Sequence, residues 1–394
     1  MDPRKNPYAP GAGTPPPELA GRDDLIERAA IALDRIRAGR AARSLILHGL
    51  RGVGKTVLLN RIETDAEARG FASVKVEAPE ERSLPALLIP VLRVALLRLD
   101  RGKRMRANLA KAGRALAGFA KALKVKYKDI EVSTDFEPER GLADSGDLDT
   151  DLTDLLASVG RAAHEYHTAV VLFVDELQYV REDQLASLIR SLHSASQRQL
   201  PITMLAAGLP QLIGQMGRAK SYAERLFEFV EIDRLDDEAA SAALCVPAEK
   251  EGVAFAPEAI AEILRQTKGY PYFLQEWGRH SWNVADASPI SRGDARRATT
   301  LALAELDAGF FRVRFDRLTP AEKRYLRAMA ELGPGPHRSG DIAERLGKGV
   351  TSVAPVRSML VAKGMIYSPA HGDTAFTVPL FDGFMKRIMP ELPR

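Results

Sequence analysis

The chain has 394 residues, of which 45% are hydrophobic and 27% are charged, the proportions of an ordinary globular protein. This length allows two or three domains with sizeable cores. The formal net charge is only +4, so any contact with nucleic acid or membrane would depend on local patches. Cys245 is the only cysteine, which excludes an internal disulfide and favours a reducing, cytoplasmic location.

The first 20 residues hold six of the 24 prolines and lack the apolar core of a signal peptide. Such a segment cannot form a core of its own. We therefore expect an N-terminal arm that lies on the domain surface or is disordered. A helix is predicted to follow, over about residues 21–37, with apolar side chains on one face.

Residues 49–56 carry the pattern G-x-x-x-x-G-K-[ST] of a phosphate-binding P-loop. An apolar run over residues 44–48 predicts a buried strand before it, and a helical pattern follows it. Glycines let successive backbone N–H groups turn toward phosphate oxygens at a helix N-terminus. We expect Lys55 to neutralise the β- and γ-phosphates and the Thr56 hydroxyl to hold Mg²⁺. The residues predicted to bind the nucleotide are Gly49, Arg51, Gly52, Val53, Gly54, Lys55 and Thr56.

A second strand is predicted over residues 71–76 and a helix over residues 83–98, after which the charge pattern changes. Eleven Lys or Arg residues and one acid lie between Arg98 and Lys128, in a pattern typical of a basic amphipathic helix. Residues 129–149 are acidic and hold a short strand pair at most. We interpret residues 99–147 as an insertion. Nucleic acid, anionic lipid and a solvated or self-paired face all remain open for its basic helix.

A continuous apolar run over residues 170–174 is typical of a central parallel strand and ends in Asp175 and Glu176. This is the Walker B pattern. Asp175 would complete the Mg²⁺ shell beside Thr56. Glu176 is placed to polarise the attacking water as a general base. The chain has no N-K-x-D motif for reading guanine, so ATP is the expected nucleotide.

A fourth strand over residues 202–207 ends without a polar side chain that could sense a γ-phosphate. Arg225 precedes a fifth strand, predicted over residues 227–232, and is the best candidate for an arginine that contacts the γ-phosphate. It could act in cis or on a neighbouring subunit. A surface arginine paired with Glu224 or Glu228 is an equal alternative.

Residues 236–312 are predicted to be a small helical lid, in which Gly269-Tyr270-Pro271 separates two helices. Residues 313–394 show three helices and a hairpin, the order of a winged helix. This last segment has 13 basic and 8 acidic residues. Its third helix would contact DNA, although winged helices also dock proteins. The residues predicted to contact DNA are Thr351, Ser352, Arg357 and Lys363.

The P-loop, the acidic strand end, the lid and the C-terminal winged helix together resemble the AAA+ and STAND-related archaeal-type P-loop ATPases, whose relatives include origin-initiator ATPases. The resemblance implies an α/β fold with five parallel strands in the order 5-1-4-3-2. It also implies that Lys55 and Thr56 bind phosphate and Mg²⁺, with Asp175 and Glu176 as the acidic pair. The segment that ends at Pro271 is similar to the lid motif that abuts the nucleotide in STAND proteins.

The expected domains are an arm (1–20), a P-loop ATPase core (21–235), the lid (236–312) and the winged helix (313–394). The missing sensor, the absence of a convincing lid arginine and the insertion favour a slow ATP switch over a fast motor. Double-stranded DNA is the expected partner, in the style of initiators or transposition regulators. The alternative is a STAND-type signalling or defence NTPase whose winged helix contacts protein, a partner or a second copy. No membrane contact is expected.

Overall fold

The protein is described by a computed structural model that covers residues 1–11, 13–79, 81–99, 106–130 and 136–392. Its centre is a five-stranded parallel sheet in the order β2-β3-β4-β1-β5. The strands are β1 (Ser44–His48), β2 (Ala72–Glu77), β3 (Val170–Asp175), β4 (Ile202–Gly208) and β5 (Phe227–Glu231). This order confirms the 5-1-4-3-2 topology and the α/β fold that the resemblance implies.

Helices cover both faces of the sheet, and every residue of β1, β3 and β4 is therefore buried. One apolar cluster lies beneath α1 and α2, and a second lies beneath α3 to α6. The helices of this part are α1 (Asp23–Arg37), α2 (Lys55–Ala68), α3 (Leu84–Leu99), α4 (Ala107–Leu123), α5 (Leu148–Glu165), α6 (Glu182–Gln197), α7 (Leu212–Ala219) and α8 (Ala223–Leu226).

The predicted basic helix, α4, contributes its apolar face to the main core. Leu109, Leu116 and Phe119 have no exposed surface and share one cluster with α3 and α5. Lys121 and Lys124 are exposed on its outer side. Part of the basic and acidic stretches, residues 100–105 and 131–135, lies outside the described residues. Elsewhere in 129–149 the described chain forms no strand. The apolar face of α4 packs against α3 and α5, and Lys121 faces outward.

Four helices form the lid after β5, and a short helix, α13, follows them at Gly309. The bounds are α9 (Asp237–Lys250), α10 (Pro257–Thr267), α11 (Pro271–Val284), α12 (Arg292–Ala308) and α13 (Phe310–Asp316). None of the described helices is both long and apolar enough to cross a bilayer.

The C-terminal module, residues 319–388, combines four helices with a three-stranded antiparallel sheet in the order β6-β8-β7. Its first helix begins at a capping box formed by Thr319 and Glu322. The lid, α13 and the module share one apolar cluster. In it, the ring centroid of Phe311 lies 5.8 Å from that of Phe381 and 5.3 Å from that of Phe384. The elements are α14 (Pro320–Glu331), β6 (His337–Arg338), α15 (Ser339–Arg345), α16 (Val350–Ala362), β7 (Ile366–Tyr367), β8 (Asp373–Phe376) and α17 (Phe381–Ile388).

The N-terminal arm is bound to the lid. Tyr8 is buried in the lid core, and its hydroxyl donates to the carbonyl of Leu244. Gly278 makes room for it, because a Cβ at that position would lie 2.6 Å from the Tyr8 ring. Nearer the terminus, Trp282 Nε1 donates to the carbonyl of Asp2 at 2.9 Å. The sequence left open whether the arm lies on the domain surface or is disordered, and in the structure it is ordered against the lid.

Candidate nucleotide site

The P-loop has the geometry of an anion cradle. It joins β1 to α2, and Gly52 and Gly54 adopt φ of 82° and 90°, which favour glycine. The ammonium of Lys55 donates to the carbonyls of Gly49 and Leu50 at 2.9 and 2.7 Å. Burial lowers the pKa of Lys55 to about 8. A buried cation held only by neutral carbonyls fits a loop that takes up an anionic phosphate.

The predicted metal pair lies together. The Thr56 hydroxyl, at the start of α2, lies close enough to the carboxylate of Asp175 at the end of β3 to favour its charged form. The backbone N–H of Glu176 also donates to Asp175, at 2.8 Å. Burial raises the pKa of Asp175, so its charged form is costly without a cation. A hydroxyl and a carboxylate oxygen are ligands that Mg²⁺ prefers, and these residues fit the predicted ion.

Glu176 has the left-handed conformation, with φ of 53°. Its carboxylate lies 3.7 Å from Arg51 Nη1 and accepts a hydrogen bond from Gln178 Nε2. Gln178 Oε1 accepts in turn from the backbone N–H of Leu209, just after β4, at 3.0 Å. Gln178 thus links Glu176 to the backbone just after β4, where the sequence has no polar side chain. In the sequence, the only indication of this role for Gln178 is its position two residues after Glu176.

A cavity of about 460 Å³ opens beside the P-loop, and Glu176 and Pro271 are among the residues that line it. The arm covers part of it: a Cβ at Gly13 would lie 3.2 Å from the Thr56 methyl. The lid touches the P-loop directly, since the Tyr272 N–H donates to the carbonyl of Gly52 at 3.1 Å. The arm, the lid and the P-loop therefore enclose one site.

The C-terminal module also reaches this site. The backbone N–H of Arg51 donates to the carbonyl of Thr377 at 2.9 Å, and Arg51 Nη2 donates to Tyr179 Oη at 2.9 Å. Arg314 of α13 lines the same cavity. Sequence reasoning missed Arg314, because no local motif distinguishes it from the neighbouring arginines of the segment.

Arg225 is not part of this site. It is exposed on α8, immediately before the first residue of β5, and Phe227 pairs with Ser44 at the amino ends of the strands. The P-loop and Glu176 follow the carboxyl ends of parallel strands, at the opposite edge of the sheet. The prediction that Arg225 acts in cis is therefore wrong. Action on a neighbouring copy stays a prediction.

The predicted DNA contacts divide into two groups. Thr351 and Ser352 are exposed at the start of α16. Arg357, in contrast, donates to Thr374 Oγ1 at 2.9 Å and to Ser368 Oγ at 3.0 Å, and Lys363 binds the buried Glu322 at 2.8 Å. These two cations stabilise the module itself, which corrects the expectation that they point toward phosphates.

Comparison with known families identifies the first part of the chain. Residues 18–205 match the model of the AAA ATPase domain. This part of the chain is an AAA ATPase domain. The P-loop ATPase that the sequence resembles is thereby confirmed for the domain. Residues 308–385, from α13 onward, match a domain of unknown function, DUF8462.

Among solved structures, the chain is similar to a Walker-type ATPase of Pyrococcus abyssi, with 14% identity and a TM-score of 0.62, over 95% of this chain and 97% of that one. Orc1 of Aeropyrum pernix, solved in complex with DNA, has 15% identity and a TM-score of 0.48, with 94% of each chain covered. Cdc6p of Pyrobaculum aerophilum has 14% identity and a TM-score of 0.47, over 100% of this chain and 99% of that one. No curated protein matches the sequence. The Pyrococcus structure shares the fold of the AAA ATPase domain and the parts that follow it.

Proposed function

We propose that this chain is an ATP-binding switch that hydrolyses ATP slowly, and that the bound nucleotide sets the arrangement of lid and C-terminal module. One observation carries the proposal: the P-loop, Glu176, the lid residue Pro271 and α13 all line a single cavity. A ligand there contacts every part at once. Its differential contact with two arrangements supplies the free energy for a change between them.

Each residue has a physical role in this proposal. The backbone of the P-loop and Lys55 bind the phosphates, and the ammonium exchanges its two carbonyl partners for phosphate oxygens. Mg²⁺ at Thr56 and Asp175 would neutralise phosphate charge. Glu176 accepts the proton of the attacking water. Because Gln178 and Arg51 already hold its carboxylate, Glu176 must be released first, which is consistent with slow hydrolysis.

Replacement of Lys55 tests the nucleotide site. Lys55→Ala removes the only ammonium of the P-loop, and we expect nucleotide affinity to fall by about two orders of magnitude, since hydrogen bonds to charged groups are strong. Binding of a fluorescent ATP analogue to the full chain measures the loss. Lys121→Ala, an exposed lysine of α4, is the matched control and should bind as the wild type does. Near wild-type affinity in Lys55→Ala would contradict the proposed site.

We infer that the C-terminal module is a winged helix, since its order is helix, strand, helix, helix and two antiparallel strands. The outer side of α16 favours a protein partner over DNA. Val350 and Met359 are 49% and 54% exposed there, and Arg357 and Lys363 are engaged within the module. For DNA binding, Arg345 and Lys348 are exposed cations that precede α16 in the chain.

A duplex-binding experiment distinguishes between DNA and protein as the partner of the C-terminal module. At about 50 mM salt, where phosphate contacts are strongest, we expect no shift of double-stranded DNA by the full chain with ATP. The double variant Arg345→Glu with Lys348→Glu is compared with Lys386→Glu, an exposed lysine of α17. A salt-dependent shift that only the double variant loses would support the predicted DNA contact and exclude a protein-only module.

A further inference from the structure

Arg314 lies between the P-loop, the lid and the C-terminal module. It lies on α13, which joins the lid to the C-terminal module, and its side chain lines the nucleotide cavity together with Lys55 and Glu176. It also lines a second cavity of about 330 Å³, on which Arg51 and Glu176 border as well. Arg314 is therefore close to the P-loop although it is far from it along the chain.

Among the described residues, the guanidinium of Arg314 has no acidic partner. Its Nη1 donates to the carbonyl of Phe310 at 2.5 Å, and the group lies 4.1 Å from the centre of the Phe310 ring. Within the described part of the chain, no carboxylate pairs with it. In contrast, Arg312 on the same helix binds Asp316 at 3.0 Å, and Arg279 of the lid binds two glutamates.

The surroundings of Arg314 are themselves positive. Burial and, after it, the charge of Arg51 lower the pKa of Arg314 to about 10. Three guanidiniums, those of Arg22, Arg51 and Arg314, and the ammonium of Lys55 thus line one cavity, whose described lining contains two acids, Glu18 and Glu176. Bringing like charges together in a poorly hydrated site costs free energy unless an anion is bound. The excess positive charge points to an anionic ligand of more than one charge.

Packing holds Arg314 in this place. The ring of Tyr272 stacks on Phe310 with 4.7 Å between centroids, and the Tyr272 N–H is bonded to the P-loop at Gly52. The backbone that carries Arg314 is therefore tied to the loop that binds the phosphates. A guanidinium in such a position suits a terminal phosphate, because its planar fork donates two parallel hydrogen bonds.

We propose that Arg314 binds the γ-phosphate of ATP in the same chain and so reports the nucleotide state to the C-terminal module. The inference rests on the proposed function, namely that the P-loop binds ATP. Arg314 takes the role that the sequence suggested for Arg225. ATP draws α13 toward the P-loop, and ADP, which lacks the third phosphate, releases it. Because Phe311 of α13 packs on Phe381 and Phe384 of the module, α13 and the module move together in this proposal.

The test compares two nucleotides in the full-length protein. Affinities for Mg²⁺-ATPγS and Mg²⁺-ADP are measured by calorimetry for the wild type, Arg314→Ala, Arg314→Lys and the surface control Arg312→Ala. We expect the wild type to prefer ATPγS. In Arg314→Ala the ATPγS affinity should fall by about tenfold or more, as for a charged hydrogen bond, and the ADP affinity should stay within about twofold. Arg314→Lys should be intermediate, and Arg312→Ala should match the wild type.

Retained ADP binding also shows that Arg314→Ala is folded. The proposal is overturned if Arg314→Ala keeps the wild-type preference, if it loses ADP and ATPγS affinity equally, or if the wild type does not distinguish the two nucleotides. Failure of the proposed function looks different, since then the wild type takes up neither nucleotide. As a second readout, kcat for ATP hydrolysis should fall by about 10³-fold in Arg314→Ala, the range known for arginines that contact a transferred phosphate.

Discussion

At the scale of single residues, Glu176 has a strained backbone that its contacts in the site hold in place. Its φ of 53° is unfavourable for a residue with a Cβ, at a cost of about 1 to 3 kcal/mol. The conformation persists because Arg51 and Gln178 hold the carboxylate, and Asp175 accepts from its backbone N–H. The strain places this carboxylate on the wall of the cavity, where a water attacking a phosphate would lie.

Glu176→Gln tests the base role at this scale. The amide keeps the shape of the side chain but cannot accept a proton, so ATP should still bind while turnover falls by about 10² to 10⁴-fold. Release of phosphate from the full chain measures turnover. Glu182→Gln, an exposed acid at the start of α6, is the control. Turnover equal to that of the wild type in Glu176→Gln would exclude the base role.

At the scale of elements, the start of α11 decides where the lid meets the nucleotide. Gly269 has φ of 73°, and a Cβ there would lie 2.5 Å from the carbonyl oxygen of Leu235. The Leu235 N–H donates to the carbonyl of Gly269 at 2.9 Å, which closes the junction between β5 and the lid. Close approach of two backbones therefore puts Pro271 at the cavity.

We expect Gly269→Ala to displace the lid. Left-handed backbone alone costs an alanine about 1 to 2 kcal/mol, and the clash with Leu235 adds to it. Gly252→Ala isolates the first cost, because Gly252 has φ of 75° and nothing within 4 Å of its Cβ position. Urea unfolding should show a larger loss for Gly269→Ala, together with weaker nucleotide binding. Equal losses in the two variants would show that the junction tolerates a side chain.

At the scale of the whole molecule, the nucleotide cavity lies where three bodies meet. The sheet supplies the P-loop and the acids, the lid supplies Pro271 and Tyr272, and the C-terminal module binds Arg51 through Thr377. The arm crosses from the lid to the P-loop. A change in one ligand can therefore bias the arrangement of the entire chain.

Hydrogen exchange tests this coupling. With Mg²⁺-ATPγS, the amide of Arg51 and the amides in residues 364–377 should exchange more slowly than with Mg²⁺-ADP, because the Arg51 N–H donates to the carbonyl of Thr377 and the proposed closed arrangement protects both sides of this contact. Helix α5, which packs in the core on the other side of the domain, serves as the internal control and should not respond. Identical exchange with both nucleotides in residues 364–377 would show that the module does not sense the γ-phosphate.

Local patterns in the sequence determined much of this protein. The five strands, the P-loop, the acidic pair and the main helices could be predicted because each depends on a short run of residues, whose apolar period or glycine spacing sets the backbone. The same runs determined that Thr56 and Asp175 meet, since both follow the carboxyl ends of parallel strands. The lid position of Pro271 came from the resemblance.

Only the tertiary structure decided the roles that depend on distant contacts. Arg225 lies at the edge of the sheet opposite the P-loop. Arg357 and Lys363 form hydrogen bonds within the C-terminal module, and Gln178 lies at the end of β4. The tertiary structure also brought Arg314, without any local motif, to the P-loop. These outcomes depend on which side chains face each other after the lid and the module pack, and no pattern within a short run carries that information.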